Sequence, residues 1–152
     1  MKLVTINHES AAALADILSN DEVLNRQMGD QAELPDITPD EYYWTTRQWE
    51  KKHDGRVYAI IEQKMVLGVL SYLPLSDTTA TVGYWIRSDQ WNLGFATRAL
   101  RLFKKVAAGK GFHYITANVP RDNPAALAIW QKNQIILTES RDYFHPWMEL
   151  TK

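Results

Sequence analysis

One stretch constrains the fold of this chain more than any other: Thr81–Thr97, TVGYWIRSDQWNLGFAT. An apolar, aromatic-rich run, Ala80–Arg87, reads as a strand and passes into a polar loop, Ser88–Leu93. A glycine then opens a helix over Gly94–Gly109. That helix is amphipathic. Ala96, Ala99, Leu100, Phe103, Val106 and Ala107 recur at helical spacing, and Arg98, Arg101 and Lys105 fall on the opposite, solvated face. Gly109 and Gly111 supply its stop. The next apolar run, Phe112–Val119, reads as a strand again, so strands and helices alternate through this half of the chain.

Upstream, Leu3–Ile6 reads as a short strand. Asn7 caps a helix over Glu9–Leu18, with Ala12, Leu14, Ile17 and Leu18 as its stripe. Ser19–Ile37 is polar and acidic and reads as loop, with room for one short helix. Thr38-Pro39-Asp40-Glu41 is a helix start: Thr38 is the cap, Pro39 suits the first turn and Glu41 completes a capping box. This helix runs to about Lys52, and His53-Asp54-Gly55 ends it. Arg56–Glu62 and Met65–Leu73 read as antiparallel strands about Gln63-Lys64, and Pro74–Thr79 as a turn. Downstream, Pro120 ends a strand and Asn123-Pro124 opens a helix to about Lys132, where Asn133 is expected as a left-handed cap. Ile135–Thr138 and Tyr143–Leu150 close the chain as strands. His145-Pro146 marks the last of these as an edge strand, because proline cannot join a central ladder. The order β-α-α-β-β-β-α-β-α-β-β implies an α/β (α+β) fold: a mixed sheet with helices on both faces.

The 152 residues, 45% of them hydrophobic, suit one ordinary domain over 1–152 that builds its own core. No cysteine is present, which excludes a disulfide framework, a thiolate metal site and a cysteine nucleophile. Seventeen basic residues balance eighteen acidic ones. Nothing global therefore points to nucleic acid or to an anionic membrane surface. The four histidines show no pair at metal-ligand spacing on a helix, so no metal is expected. Met1–Ser10 lacks the apolar run of a signal peptide and no stretch approaches a spanning helix, so the expected compartment is the cytoplasm. The six tryptophans are either core filler or pocket wall.

The chemistry resides in the strand–loop–glycine–helix segment. The first N–H groups of a helix have no intrahelical partner and sit at the positive end of its dipole, so they form a ready anion site suited to phosphate. Gly94 lets the backbone approach such a ligand, and Ala96 keeps the next turn uncrowded.

Trp91-Asn92-Leu93-Gly94-Phe95-Ala96 resembles motif A of the Gcn5-related N-acetyltransferase (GNAT) family, Gln/Arg-x-x-Gly-x-Gly/Ala, with Trp91 in the Gln/Arg place. Gly83-Tyr84-Trp85-Ile86, Gly94-Phe95-Ala96-Thr97 and Ala99-Leu100 look like the ribosomal-protein alanine acetyltransferase branch. Asn123-Pro124-Ala125-Ala126 and Trp130-Gln131-Lys132 are similar to that family's second segment. The resemblance covers about Ala80–Ile135. It implies a central sheet of about seven strands with a V-shaped splay, flanked by about four helices. It implies acetyl-CoA as cosubstrate, its pantetheine arm along Trp85, Ile86 and Arg87. The pyrophosphate would rest on Trp91, Asn92, Leu93, Gly94, Phe95, Ala96 and Thr97. Asn123 and Trp130 complete the implied cofactor site. An N–H near Ile86 would polarise the thioester carbonyl. The implied reaction is acetyl transfer to a primary amine, on a protein N-terminus or a small molecule. The rival implication is a CoA-binding sensor or partner-binding module without turnover. Homodimers are common among such relatives.

Two departures bear on catalysis. Trp130 stands where many members have a tyrosine acid, and an indole N–H is a very poor acid. The strand over Ala80–Ile86 carries no carboxylate base, so the catalytic residues are unassigned, with Glu33, Asp36, Glu139 and His145 as candidates for the base. The segment between the first two helices usually walls the acceptor pocket. Here it holds Asp30, Glu33, Asp36, Asp40 and Glu41, followed by Tyr42, Tyr43 and Trp44. Acidic and aromatic groups together suit a cationic acceptor, with Glu33 and Asp36 as its binding residues. The tryptophans divide accordingly. Trp85, Trp91 and Trp130 are expected on the cofactor cleft, Trp44 near the acceptor wall, and Trp49 and Trp147 in packing.

Overall fold

A computed structural model describes residues 1–29 and 34–150. Gln63 and Lys64 both take positive φ, 48° and 69°. That two-residue turn has the twist of an antiparallel hairpin. It joins β2 (Arg56–Glu62) to β3 (Met65–Pro74). β1 (Lys2–Thr5) pairs antiparallel with β2, and β4 (Thr79–Ile86) pairs antiparallel with β3. β5 (Tyr114–Thr116), β6 (Val119–Pro120), β7 (Ile136–Glu139) and β8 (Tyr143–Glu149) complete the sheet. Its order is β1-β2-β3-β4-β5-β8-β6, with β7 on the other edge of β8. The described residues form eight strands where about seven are implied, because the run read as Phe112–Val119 is broken into two. Among them only the β4–β5 pairing is parallel.

Local capping sets the helices. Asn7 caps α1 (His8–Asn20) in a reciprocal box with Ser10, the Ser10 N–H reaching Asn7 Oδ1 at 2.8 Å. Asp21 caps α2 (Glu22–Met28), the short helix for which the acidic segment had room. Thr38 caps α3 (Pro39–His53), but its box is not reciprocal. The Thr38 hydroxyl donates to the Glu41 carboxylate instead. Asp54, with φ 53°, ends α3 in the left-handed conformation. α4 (Phe95–Gly109) follows Gly94, and Asn123 caps α5 (Pro124–Gln131). The described residues form five α-helices where about four are implied. The last ends at Lys132 in ordinary helical conformation, so Asn133 is not the left-handed cap expected of it.

Side-chain alternation divides the core between the two faces of the sheet. Val57, Ala59 and Val69 join Ile6, Leu14, Ile17 and Leu24 under α1 and α2. Tyr58, Ile60, Leu70, Tyr72, Val82 and Ile86 face the other way, onto Leu100 and Phe103 of α4, Trp130 of α5 and Met148 of β8. Helices thus cover both faces, as the element order implies.

Contrary to the edge assignment, β8 lies inside the sheet and Pro146 is fully buried. The Leu150 N–H donates to His113 O at 2.8 Å, so even-numbered residues of β8 point their backbone groups towards β5 and β6. Pro146 therefore faces Ala117 and Asn118, the break between β5 and β6. A residue with no N–H is tolerated centrally because the neighbouring strand makes no ladder bond there.

Among the described residues, no helix is long and apolar enough to cross a membrane. No group of three or more His, Asp or Glu among them could hold a metal ion.

β3 and β4 approach unusually closely at Gly68. A Cβ there would overlap the Trp85 carbonyl oxygen and stand 2.9 Å from the Ile86 Cα, both backbone. Gly68→Ala is expected to destabilise the protein by roughly 1–3 kcal/mol through forced separation of the strands. Urea unfolding measures this, and a loss under about 0.5 kcal/mol would show that the pair has room.

Candidate active site

β4 pairs with β5 over Thr79–Thr81 only, and the two strands then part. The Arg87 N–H donates to Leu67 O at 2.8 Å, which places odd-numbered residues of β4 in hydrogen-bonded pairs with β3. The backbone groups of Tyr84 and Ile86 consequently point into the V-shaped gap. No described strand pairs with them there. Such an edge can accept one more extended chain.

The loop after β4 is pinned at three points. The Arg87 N–H bond to β3 is the first. Asp21, at the start of α2, is the second: it accepts the Ser88 N–H at 2.8 Å and the Ser88 hydroxyl at 2.6 Å. The third is the indole N–H of Trp91, which returns to the Ile86 carbonyl at 2.7 Å. Beyond Trp91 the backbone alternates in hand, with Asn92 at φ 63° and Gly94 at φ 82°. This alternation curves successive N–H groups into an anion-binding nest.

The start of α4 prolongs the nest. Gly94 provides no side-chain cap, and the first N–H to find an acceptor is that of Arg98, bonded to Gly94 O at 3.0 Å. Among the described residues, none accepts a hydrogen bond from any N–H between Asn92 and Thr97. A run of six donors at the positive end of a 15-residue helix fits a pyrophosphate. The Gly94 position has nothing within 4 Å of a built Cβ, so the nest is open.

On the α3 face of the sheet lies a trough of about 490 Å³, walled by Tyr42, Trp49, Val57, Ser71, Gly83 and Trp85. A second recess of about 310 Å³ shares Trp49, Ser71 and Gly83 with it and extends through Thr81 to Asn118, across the gap. The two adjoin at Gly83 of β4. Burial pushes the Tyr42 phenol up to about 12, against the opposing effect of its bond with Thr46, and pushes Tyr84 up to about 12 as well. Both stay protonated near neutrality, so neither acts as a base.

A family model described as an acetyltransferase (GNAT) domain matches residues 1–135. The chain belongs to the GNAT acetyltransferase family. Solved structures share its fold. RimL, a ribosomal L7/L12 alpha-N-protein acetyltransferase in complex with coenzyme A, superposes with a TM-score of 0.75 at 18% identity, over 97% of this chain and 90% of RimL. A spermidine N-acetyltransferase SpeG chimera from Vibrio cholerae and hSSAT gives 0.70 at 15% identity, over 99% and 95%. The microcin C7 self-immunity acetyltransferase MccE, in complex with acetyl-CoA and AMP, gives 0.74 at 15% identity, over 95% and 88%. No curated protein matches the chain.

As a GNAT protein the chain is an acetyl-CoA-dependent acyltransferase, and its expected site residues fall into distinct groups. Ile86 and the loop from Trp91 to Thr97 come together at the gap, as the motif implies. Trp91 has a further task there, because its indole N–H is committed to closing the loop. Trp85 does not present itself to the gap. Its backbone faces β3 and its side chain walls the trough on the other face. The Arg87 guanidinium is held by Asp89 at 2.6 and 2.9 Å. Asn123 acts as a helix cap, accepting from the Ala126 N–H at 3.1 Å. Trp130 is 0% exposed within the main core, and its indole N–H has no described partner.

Of the acceptor and base candidates, Glu33 and its neighbour Asp30 lie outside the described residues. Asp36 is exposed and lines neither recess. Glu139 pairs with Arg121 at 3.3 Å, and His145 bonds the Ser140 hydroxyl, both around β7 and β8. The roles of Trp44 and Trp49 are exchanged relative to expectation. Trp44 is 60% exposed, its ring edge-on to Tyr43, and lines neither recess, whereas Trp49 walls both. Sequence reasoning missed Ser71, Gly83 and Asn118 as site residues.

Burial pushes the Asp21 carboxyl up, but the Ser88 hydroxyl and N–H, the Leu24 N–H and the nearby Arg87 charge outweigh it and hold the group below its ordinary value. Its contribution to stability is therefore full above the unfolded-state value and is lost as pH falls through the lower folded-state one. Asp21→Asn is expected to be less stable than wild type at pH 7. That difference should shrink below about pH 4. Urea unfolding at the two pH values measures it, and a difference independent of pH would contradict the role of the charge.

Proposed function

We propose that this GNAT protein acts as a single cytoplasmic domain that transfers the acetyl group of acetyl-CoA to a primary amine by direct attack in a ternary complex. The observation that carries this reading is the run of free N–H groups from Asn92 to Thr97 beside the bare edge of β4. The two features fit the two ends of one ligand: a pyrophosphate for the nest, and an extended amide chain for the edge. When bound, acetyl-CoA supplies an activated acyl group on a good leaving thiolate.

The chain's own contribution is positional. Six N–H groups hold the phosphates, and the Tyr84 and Ile86 backbone groups orient the arm. The Ile86 N–H, which points into the gap, stabilises negative charge developing on the acyl oxygen. The trough brings the amine to the gap over Gly83, and fixing both reactants removes the entropic cost of their encounter. Among the described residues, no carboxylate or histidine lines the trough. Deprotonation by water suffices for a neutral amine to attack the thioester. With no thiol in the chain, an acetyl-cysteine route is excluded.

Gly94→Asp tests the cofactor half of this reading. Aspartate tolerates positive φ better than most residues, so the variant should fold, while its carboxylate faces the phosphates. Calorimetry is expected to show CoA binding abolished in Gly94→Asp and largely retained in Gly94→Asn. Unchanged affinity in the aspartate variant would show that the nest does not hold CoA. The transferase half is tested by release of free thiol from acetyl-CoA across a panel of amines, with turnover expected for at least one.

A further inference from the structure

We infer that the acceptor is a monoamine carried on an uncharged aromatic or aliphatic group, and that Gly83 is the residue that admits it. This rests on the transferase reading and goes beyond it to the class of substrate.

Gly83 lines both recesses, where the trough meets the recess that reaches Asn118. The Gly83 position is exposed on the trough face of β4, opposite Ser71 in the pairing of β3 and β4. A Cβ built on it meets a single atom, Ser71 Oγ, at 3.6 Å. The strand pair thus accepts a side chain there without strain. Any such side chain stands where the aromatic recess meets the one that reaches Thr81 and Asn118. Glycine at this position leaves room for a ligand instead.

The walls select what enters. Tyr42, Trp49 and Trp85 present ring surfaces, and Val57 and Val69 an aliphatic floor. Such walls bury apolar area and hold rings in stacked or edge contact. A second ammonium group on the ligand finds no carboxylate among the described lining residues. The buried carboxylate of α3, Glu50, is already engaged, accepting the Val57 N–H at 2.9 Å and Arg47 at 2.6 Å, with Arg56 at 4.0 Å. The described lining thus offers apolar contact to the ligand's body and no ion pair to a second ammonium group. One amine, reaching over Gly83 into the gap, and one apolar group against Trp49 and Trp85 satisfy the two recesses. A small arylalkylamine and a peptide with an apolar first residue share that chemistry.

The test compares the full-length protein with its Gly83→Leu variant. With saturating acetyl-CoA, thiol release is measured for 2-phenylethylamine, for a tripeptide amide beginning with Phe, and for spermidine. The two apolar amines separate the small-molecule from the peptide source, and at least one of them is expected to exceed spermidine tenfold in kcat/KM. Equal or reversed preference overturns the inference. In Gly83→Leu, the KM for the preferred amine is expected to rise at least tenfold, with Tm and CoA affinity unchanged. An unchanged KM also overturns it. If the leucine variant fails to fold, Gly83→Ala takes its place, with a smaller rise in the same direction. If no amine turns over, quenching of tryptophan fluorescence by 2-phenylethylamine decides between the two readings. Quenching in wild type that is lost in Gly83→Leu leaves the binding inference standing and removes the transferase reading. Absence of quenching overturns the inference itself.

Discussion

The architecture of this molecule depends on the point at which β4 and β5 stop being neighbours. They share three residues of parallel pairing, and β4 then runs on bonded to β3 alone, with its β5-side edge unpaired by any described strand. Unpaired backbone groups are costly when sealed from water, so an edge of this kind persists where solvent or a ligand can satisfy it. The loop that follows is short, so the helix it leads into starts beside the same gap. One divergence therefore places a hydrogen-bonding edge and a positive helix terminus within a single stretch of chain, and the three pins at Arg87, Ser88 and Trp91 keep them there.

β4 also separates two environments. Its backbone addresses the gap at even-numbered positions, while Gly83 and the Trp85 side chain line the trough on the α3-covered face. In the proposed arrangement a cosubstrate along the strand and an acceptor approaching across it meet near Ile86 without competing for the same surface.

The parts of this arrangement that were legible in the sequence are those set by local chemistry. Asn7, Thr38 and Asn123 cap the helices they were expected to cap, the Gln63-Lys64 turn forms, and the strand–glycine–helix segment produces the nest. The parts that were not legible depend on tertiary context. Pro146 sits inside the sheet because of a break in another strand some thirty residues away. Trp44 and Trp49 stand on one helix five positions apart, roughly 140° around its axis at 3.6 residues per turn, so only one can face the trough. Trp85 alternates onto the acceptor face once its register with Val69 is known. The trough is invisible in any single segment, since α3, β2, β3 and β4 each supply part of it.

The bond from the Trp91 indole to the Ile86 carbonyl does more than close a loop. It removes one acceptor from the free edge of β4, so the ladder presented to an incoming chain ends on a donor, the Ile86 N–H. An extended arm bearing several amides could otherwise slide along a uniform edge by one repeat. Here the last rung is of fixed polarity and fixed position, and it acts as an end-stop. In the proposed binding mode, the distance from that stop to the nest of N–H groups then works as a ruler for the arm's length.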